Sequence, residues 1–259
     1  MLPLEGVGVL ITRPAHQAAS LGRLFEAEGA AVVLFPAVDI RSLADARTWT
    51  ARLGTPSGFD LIVFTSANAV RHGAALLEQR RDLPLAAIGP ATARALNQAG
   101  YRVSVQPLEG YDSESLLRHP RLGAVGGQRV LIIKGEGGRE LLERELERRG
   151  AELTVAEVYR RECPAPAAEE LRRLEARFEQ REIQLITATS TEIGSNLLAL
   201  ATPALRRHFD TAHWLVPSPR VAGSLREAGL RGTLLTAPSA EDQDLLSAAV
   251  RWRSSVSGA

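Results

Sequence analysis

An internal repeat constrains this sequence more than any other feature. An apolar run at residues 7–12 and a helical-period stretch at residues 17–28 lead to a closing glycine, Gly29, and then to a second apolar run. The same plan returns from residue 129 onward, at a constant offset of 121 residues. The pattern predicts strand, loop, helix and strand in both copies.

A second pair of repeated units follows the first pair. The run LIVFTSANAV at residues 61–70 is answered by LITATSTEIG at residues 185–194, and the stretches that close at Gly100 and Gly229 answer one another. Strands that alternate with helices of this length predict parallel sheets with helices on both faces and right-handed crossovers. The sequence therefore predicts an α/β chain with two flavodoxin-like lobes.

Periodicity leaves the pairing of the repeated units open. A duplicated chain can fold half by half, or it can exchange its first unit between the lobes. The polar residues 39–58 and the proline-rich residues 162–168 are candidate crossings between lobes. A length of 259 residues suits two lobes that each bury a core.

Charge and cysteine content exclude several classes of partner. The 31 Lys and Arg residues nearly cancel the 30 Asp and Glu residues, so no global field attracts nucleic acid or a membrane surface. The one cysteine, Cys163, cannot form an internal disulfide, and no Cys or His cluster has the spacing of a metal site.

The amino terminus lacks the features of a signal peptide, and no apolar run has the length of a membrane span. We expect a cytoplasmic protein without metal.

Small, polar or glycine-rich loops follow the predicted strands. In open parallel sheets, ligands bind beyond the carboxyl ends of the strands, where loops meet helix amino termini. Free backbone N–H groups and the helix dipole favour a carboxylate or phosphate there. The candidate ligand-binding residues in these loops are Thr12, Arg13, Thr65, Ser66, Asn68, Gly89, Thr92, Lys134, Gly135, Ser190, Pro217, Ser218 and Arg220.

These loops have two interpretations. Thr, Ser and Asn cap helices in any α/β protein, and capping alone explains each loop taken singly. Caps do not require a neighbouring cation, however, whereas Arg13, Lys134 and Arg220 stand beside three of the turns. The set therefore favours a cleft that holds a multiply anionic ligand. The loop KGEGGR is not a nucleotide-binding P-loop, because its lysine precedes the glycines.

Conventional catalytic motifs are absent from these loops. They hold no paired carboxylates, no nucleophile elbow and no HExxH motif. Tyr159 stands at the end of an apolar run, at a candidate crossing between lobes, where a tyrosine side chain could reach the cleft. The alternative for Tyr159 is an aromatic residue packed at an interface.

With these loops in place, the chain resembles the uroporphyrinogen-III synthases over nearly its whole length. Seven stretches carry the resemblance in order, namely ITRP, DLIVFTSANAV, AAIGPATARALNQAG, RVLIIKGEGGRELLERELERRGA, VYRRE, ITATSTE and VPSPRVAGSLREAG. The resemblance implies two flavodoxin-like lobes joined by a two-strand hinge, with the first unit exchanged between lobes. Residues 1–38 and 164–259 would then form one lobe, and residues 39–163 the other.

The resemblance also implies an activity. Members of the family convert hydroxymethylbilane into uroporphyrinogen III, with loss of water and inversion of ring D, and no cofactor is implied. Tyr159 matches the family's tyrosine and becomes the expected donor to the departing hydroxyl, while Ser66, Thr92 and Ser190 match expected carboxylate contacts. We expect a monomer that binds neither nucleic acid nor membrane. Transient contact with the deaminase that supplies the substrate stays open.

Three other functions stay open from the residues alone. A cytosolic two-lobed binding protein or sensor for an anionic small molecule would need the cleft loops without a catalytic tyrosine. A flavin-binding electron carrier suits the expected sheet order, although the loop at residues 189–195 offers few aromatic side chains to cover a flavin. A glycosyltransferase rests on architecture alone. Substrate turnover separates the sensor from the synthase.

Overall fold

The structure is a computed structural model that describes residues 2–43, 48, 49, 51, 58–77 and 81–257. The chain divides into two compact units, which we call unit 1 (Met1–Asp39 with Glu162–Ala259) and unit 2 (Ile40–Arg161). Of the candidate crossing at residues 39–58, residues 44–47, 50 and 52–57 lie outside the described residues.

The elements alternate along the chain, as the repeat predicted. The described strands are β1 (Gly8–Ile11), β2 (Ala31–Leu34), β3 (Asp39–Ser42), β4 (Leu61–Phe64), β5 (Leu85–Ala87), β6 (Val103–Val105), β7 (Arg129–Gly135), β8 (Glu152–Glu162), β9 (Leu185–Thr187), β10 (His213–Val216) and β11 (Thr233–Thr236). The described α-helices are α1 (Ala15–Ala27), α2 (Ala67–Gly73), α3 (Pro90–Gln98), α4 (Ser113–Leu117), α5 (Pro120–Gly123), α6 (Leu141–Arg148), α7 (Ala168–Glu179), α8 (Thr191–Leu200), α9 (Pro203–Thr211), α10 (Pro219–Glu227) and α11 (Asp242–Ser257).

Unit 1 is built on a parallel sheet with the strand order β11-β10-β9-β1-β2. Every residue of β1 and β9 is buried. This burial explains their continuous apolar runs, because a central parallel strand is covered on both faces. Helices α1 and α11 contribute to one apolar core, which includes Leu21, Phe25, Leu245 and Trp252.

Unit 2 is built on a sheet with the strand order β3-β8-β7-β4-β5-β6, parallel from β8 to β6. The side chains of β4 alternate between two apolar cores, with Ile62 and Phe64 in one and Leu61 and Val63 in the other. Successive residues of a strand point to opposite faces, so both faces of this sheet are covered. The chain passes between the units at β3 and at the end of β8, which are neighbours in this sheet.

The predicted fold class is confirmed, because the chain is α/β with two mostly parallel sheets. Within each unit, parallel strands end at the same edge, and this edge brings the candidate loops of that unit together. Among the described helices, none combines the length and the apolar character needed to cross a lipid bilayer.

Candidate active site at the carboxyl ends of the strands

Tyr159 lies in unit 2 on β8, where it pairs with Gly135, the last residue of β7. Its side chain packs into one of the two apolar cores of the unit, and the residue is only 6% exposed. Its phenol oxygen lies 3.1 Å from Ser66 Oγ, in the loop that follows β4. Tyr159 is therefore a packed aromatic residue whose hydroxyl meets a polar group at the carboxyl edge.

Gly135 leaves the space that the tyrosine ring occupies. A Cβ atom on Gly135 would lie 2.5 Å from Tyr159 Cζ and 2.9 Å from its hydroxyl oxygen. The register between β7 and β8 also shifts between Lys134 and Gly135, and such irregularities re-aim side chains near functional sites. The sequence predicted Gly135 as a ligand contact, and the structure also makes it a packing partner of Tyr159.

Ser66 and His72 hold the tyrosine from α2. Ser66 caps this helix, with its Oγ accepting a hydrogen bond from Ala69 N at 2.9 Å. The His72 ring lies 5.7 Å from the Tyr159 ring between centroids, and its Nδ1 is 2.7 Å from Ser42 Oγ. The sequence offers no signal for Ser42, and His72 is one of five histidines that share no spacing, which favours a structural role for it.

Lys134 is engaged inside unit 2. The residue is 8% exposed, and its Nζ forms an ion pair with the Glu143 carboxylate on α6. In the glycine-rich loop that follows, Gly137 and Gly138 both have positive φ, and Gly137 N donates to Glu157 Oε1 at 3.2 Å. The charge of Lys134 is thus neutralised within the protein rather than presented by the loop.

The other candidates of unit 2 follow β4 and β5, which are neighbours in the sheet. Thr65 N donates to Ile133 O at 3.2 Å, and Asn68 is half-buried on α2. Gly89 precedes α3 and provides no side chain to cap it. Thr92 on α3 is 3% exposed. These positions share one edge with Tyr159.

In unit 1, Thr12 and Arg13 connect structural elements. The Thr12 hydroxyl donates to the carbonyl of Thr187, which joins the ends of β1 and β9. The Arg13 guanidinium contacts the Asp242 carboxylate, the Ala240 carbonyl and, at 3.3 Å, Thr189 Oγ1. The loops after β1 and β9 are thereby tied to the start of α11. Both residues bond to groups of the protein itself.

The remaining candidates of unit 1 stand at two helix starts. Ser190 caps α8 by accepting from Ile193 N at 3.2 Å, and Ser218 caps α10 by accepting from Val221 N at 3.4 Å. Pro217 is buried, whereas Arg220 is exposed. In the part of the chain that the structure describes, the Arg220 guanidinium has no ion pair or hydrogen bond. Among the described residues, the start of α10 therefore carries both a capping hydroxyl, from Ser218, and an unpaired guanidinium, from Arg220.

These features define a class of protein. Each unit is a parallel α/β body whose carboxyl edge collects helix starts, capping hydroxyls and glycine turns, and one edge adds a tyrosine hydroxyl in a polar contact. Such an edge is the usual ligand site of an open α/β sheet. The geometry thus describes an α/β protein that collects polar groups and helix starts at the carboxyl edge of each sheet.

Comparison with known proteins identifies the family. Residues 19–247 match the family model described as Uroporphyrinogen-III synthase HemD. The uroporphyrinogen-III synthase of Salmonella typhimurium is 34% identical over 251 residues, which cover 93% of this chain and 99% of that protein. The synthase of Escherichia coli strain K12 is 32% identical over 250 residues, with coverage of 93% and 99%. The chain belongs to the uroporphyrinogen-III synthase family.

Solved structures share the fold. The uroporphyrinogen-III synthetase of Helicobacter pylori has a TM-score of 0.61 and 14% identity, covering 95% of this chain and 99% of that one. A mutant uroporphyrinogen III synthase of Thermus thermophilus has a TM-score of 0.58 and 23% identity, covering 98% and 100%. Family membership makes the chain a cyclising lyase of haem biosynthesis, which confirms the function predicted from the sequence.

Proposed function

We propose that the chain converts hydroxymethylbilane into uroporphyrinogen III and that Tyr159 protonates the hydroxyl that leaves. The observation that carries the proposal is the contact between Tyr159 and Ser66 at the carboxyl edge of unit 2, in a chain of this family. A phenol placed there can act as a general acid, because it lies where an open sheet binds its ligand.

Ser66 sets the direction of the tyrosine proton in this proposal. The Ser66 oxygen already accepts the N–H of Ala69. Its own hydroxyl proton is then free to be donated to the phenol oxygen 3.1 Å away. When Ser66 donates in this way, the phenol proton of Tyr159 points to another acceptor, which is the departing hydroxyl of the substrate.

Water loss starts the reaction. The lone pair of the first pyrrole nitrogen expels the protonated hydroxyl as water and leaves an azafulvenium cation. The substituted carbon of ring D attacks this cation and forms a spiro intermediate, whose fragmentation and recombination invert ring D before the macrocycle closes. The proton lost as the last pyrrole regains its aromaticity restores the acid form of Tyr159. Each macrocycle that forms releases one molecule of water.

The protein's main contribution is to position the chain of pyrroles. Each pyrrole carries an acetate and a propionate, so the substrate presents many carboxylates that helix starts at a carboxyl edge can bind. We assign carboxylate contacts to the backbone N–H groups at the starts of α3, α8 and α10, together with the Thr92 hydroxyl and the Arg220 guanidinium. Arg13 and Lys134, which are bonded within the protein, support the loops instead. Holding ring D in place before attack is catalysis by orientation.

We take units 1 and 2 as the two lobes of the enzyme, linked through β3 and β8. The enzyme works as a monomer in the cytoplasm, without a cofactor, and any contact with the upstream deaminase is transient.

The test is the isomer of the product. The purified chain is incubated with freshly made hydroxymethylbilane, the product is oxidised, and the type I and type III porphyrins are separated by chromatography. The proposal predicts type III in excess over the type I isomer that forms spontaneously. Type I alone from a folded protein that still binds the substrate would instead indicate the binding protein or sensor.

A further inference from the structure

Unit 1 contains a cavity of about 480 Å³ at the amino ends of its strands. Val7, Ile183 and His213, which stand at or just before the starts of β1, β9 and β10, line it. The strands are parallel, so this edge lies opposite the carboxyl edge that carries the candidate loops of unit 1. Strands of three or four residues separate the two edges by roughly 10 Å. A ligand in the cavity would be distinct from one at the carboxyl edge of this unit.

Two pairs of flat side chains form walls of the cavity. The His208 ring stacks on Phe178, with centroids 5.5 Å apart and planes 16° apart. The His213 ring lies 4.8 Å from the Trp252 ring between centroids. Flat aromatic walls favour a flat ligand, because rings stack or meet edge to face at such separations.

The polar groups of the cavity favour a negative charge. Arg181 and Arg253 both line it, and neither guanidinium forms an ion pair within the described ranges. Trp252 is 9% exposed, and its Nε1 is itself buried, with no hydrogen-bond partner among the residues that the structure describes. Glu179 is the one carboxylate among the lining residues. Two cations outweigh that single acid.

The backbone of Arg181 provides an independent observation. Arg181 has φ of 57°, and it is the one described residue other than glycine with positive φ. Its N donates to Phe178 O at 3.0 Å, and the next residue, Glu182, donates to Arg177 O at 2.9 Å. This pair of bonds is the Schellman ending of a helix, which normally places glycine in the left-handed position.

Among the described helices, four others end in the same way, and all four use glycine. The left-handed residues that follow them are Gly29, Gly100, Gly150 and Gly229, with φ between 82° and 89°. A side chain in this conformation is less favourable than glycine, because its Cβ crowds the following carbonyl. Arg181 occupies a backbone conformation that favours glycine, and it lies at the wall of a cavity. This combination indicates that its guanidinium has a binding role.

We propose that this cavity is a second ligand site, which binds a planar aromatic or heteroaromatic ring that carries a carboxylate. The ring lies between the His208–Phe178 and His213–Trp252 pairs, and the carboxylate binds the Arg181 guanidinium. A volume of this size is in the range of small-molecule pockets and holds a ligand of one or two fused rings.

The experiment uses the whole chain and three probes. We expect 1-naphthoate to bind at least about tenfold more tightly than 1-naphthalenemethanol, which lacks the charge, or cyclohexanecarboxylate, which lacks the flat ring. Binding is measured by calorimetry and by the shift of the Trp252 indole N–H signal, which is assigned with Trp252→Phe. No substrate is present, so the outcome does not depend on the proposed reaction.

The variant Arg181→Gly separates a binding role from a structural one. We expect it to weaken 1-naphthoate binding at least about tenfold while the melting temperature stays equal or rises, because glycine suits this backbone. Arg220→Gln, which removes one positive charge at the carboxyl edge, should leave the affinity unchanged. The proposal is overturned if 1-naphthoate does not bind, if Arg181→Gly binds it as tightly as the wild type, or if Arg220→Gln is the variant that loses it.

Discussion

Gly135 and Tyr159 occupy paired positions on β7 and β8, and the tyrosine ring fills the space that a Cβ atom on Gly135 would need. The phenol oxygen then reaches Ser66 Oγ at 3.1 Å. The place of the hydroxyl is thus set by backbone packing on one side and by a helix cap on the other. Such support on rigid elements is what precise positioning of a catalytic group requires.

Gly135→Ala is expected to displace the tyrosine ring. The new Cβ would lie 2.5 Å from Tyr159 Cζ, and such overpacking costs about 1–3 kcal/mol of unfolding free energy. We expect kcat to fall at least about tenfold, since a small misplacement of a reacting group is costly. Urea unfolding and steady-state kinetics measure both effects. Gly126→Ala is the control, because its Cβ would find Arg149 O at an ordinary 3.5 Å. An unchanged kcat in Gly135→Ala would refute the packing argument.

Ser66→Ala removes a helix cap and the partner of Tyr159 together. Loss of the cap lowers the unfolding free energy by about 1 kcal/mol, and loss of the contact with the phenol should lower kcat by about tenfold. Thr202→Ala is the matched control, because Thr202 caps α9 by accepting from Leu205 N at 3.1 Å and lies in the other unit. It should lower stability with kcat unchanged. Equal kcat values for both variants would show that Ser66 is only a cap.

We expect Arg13 to have a structural role and Arg220 to have a role in substrate binding. The Arg13 side chain is 12% exposed and paired with Asp242, so Arg13→Gln should cost about 1–3 kcal/mol of unfolding free energy. Arg220 is exposed and free among the described residues, so Arg220→Gln should raise KM by about threefold to tenfold with stability unchanged. Thermal unfolding and KM measurements distinguish the two. A raised KM in Arg13→Gln with normal stability would reverse the assignment.

His213 should make unit 1 less stable in acid. Burial lowers the pKa of His213 below its usual value of 6.5. The unfolded chain therefore takes up a proton near pH 6.5 that the folded chain binds only at lower pH, so stability falls as the pH falls through that value. Between about pH 8 and about pH 5.5, the wild type should lose more unfolding free energy than His213→Gln. His16→Gln, at an exposed position, should follow the wild type. Parallel curves for wild type and His213→Gln would contradict the prediction.

The sequence predicted the secondary structure and the fold class because each signal for them is local. The apolar run at residues 7–12 became β1, which is buried throughout, and the glycines Gly29 and Gly150 end helices with positive φ. The pairing of strands is not a local property, since the two halves carry the same pattern and either half can supply a neighbour. The repeat alone left this pairing open, and only the family resemblance implied that the first unit is exchanged; in the structure, β1 lies beside β9.

The candidate loops could be predicted from the sequence, but the ion pairs and hydrogen bonds that their side chains form could not. Arg13 meets Asp242 across 229 residues of chain, and no spacing signals such a contact. The ion pair of Lys134 with Glu143 spans only nine residues, yet it depends on the turn between β7 and α6. Arg181 is the instructive case, because an arginine at a helix end where four other described helices use glycine is visible in the sequence once the helix boundaries are known.

The most direct test of the central claim compares Tyr159→Phe with Tyr101→Phe in the conversion of hydroxymethylbilane to type III product. Both tyrosines are 6% exposed, belong to the same core of unit 2 and lose one hydrogen bond on substitution, since the Tyr101 hydroxyl donates to Ala74 O at 3.4 Å. If Tyr159 is the acid, Tyr159→Phe should lower kcat by about 10²- to 10⁴-fold, with KM within about threefold of the wild type, while Tyr101→Phe retains full turnover. A Tyr159→Phe variant that turns over as fast as Tyr101→Phe would contradict the account.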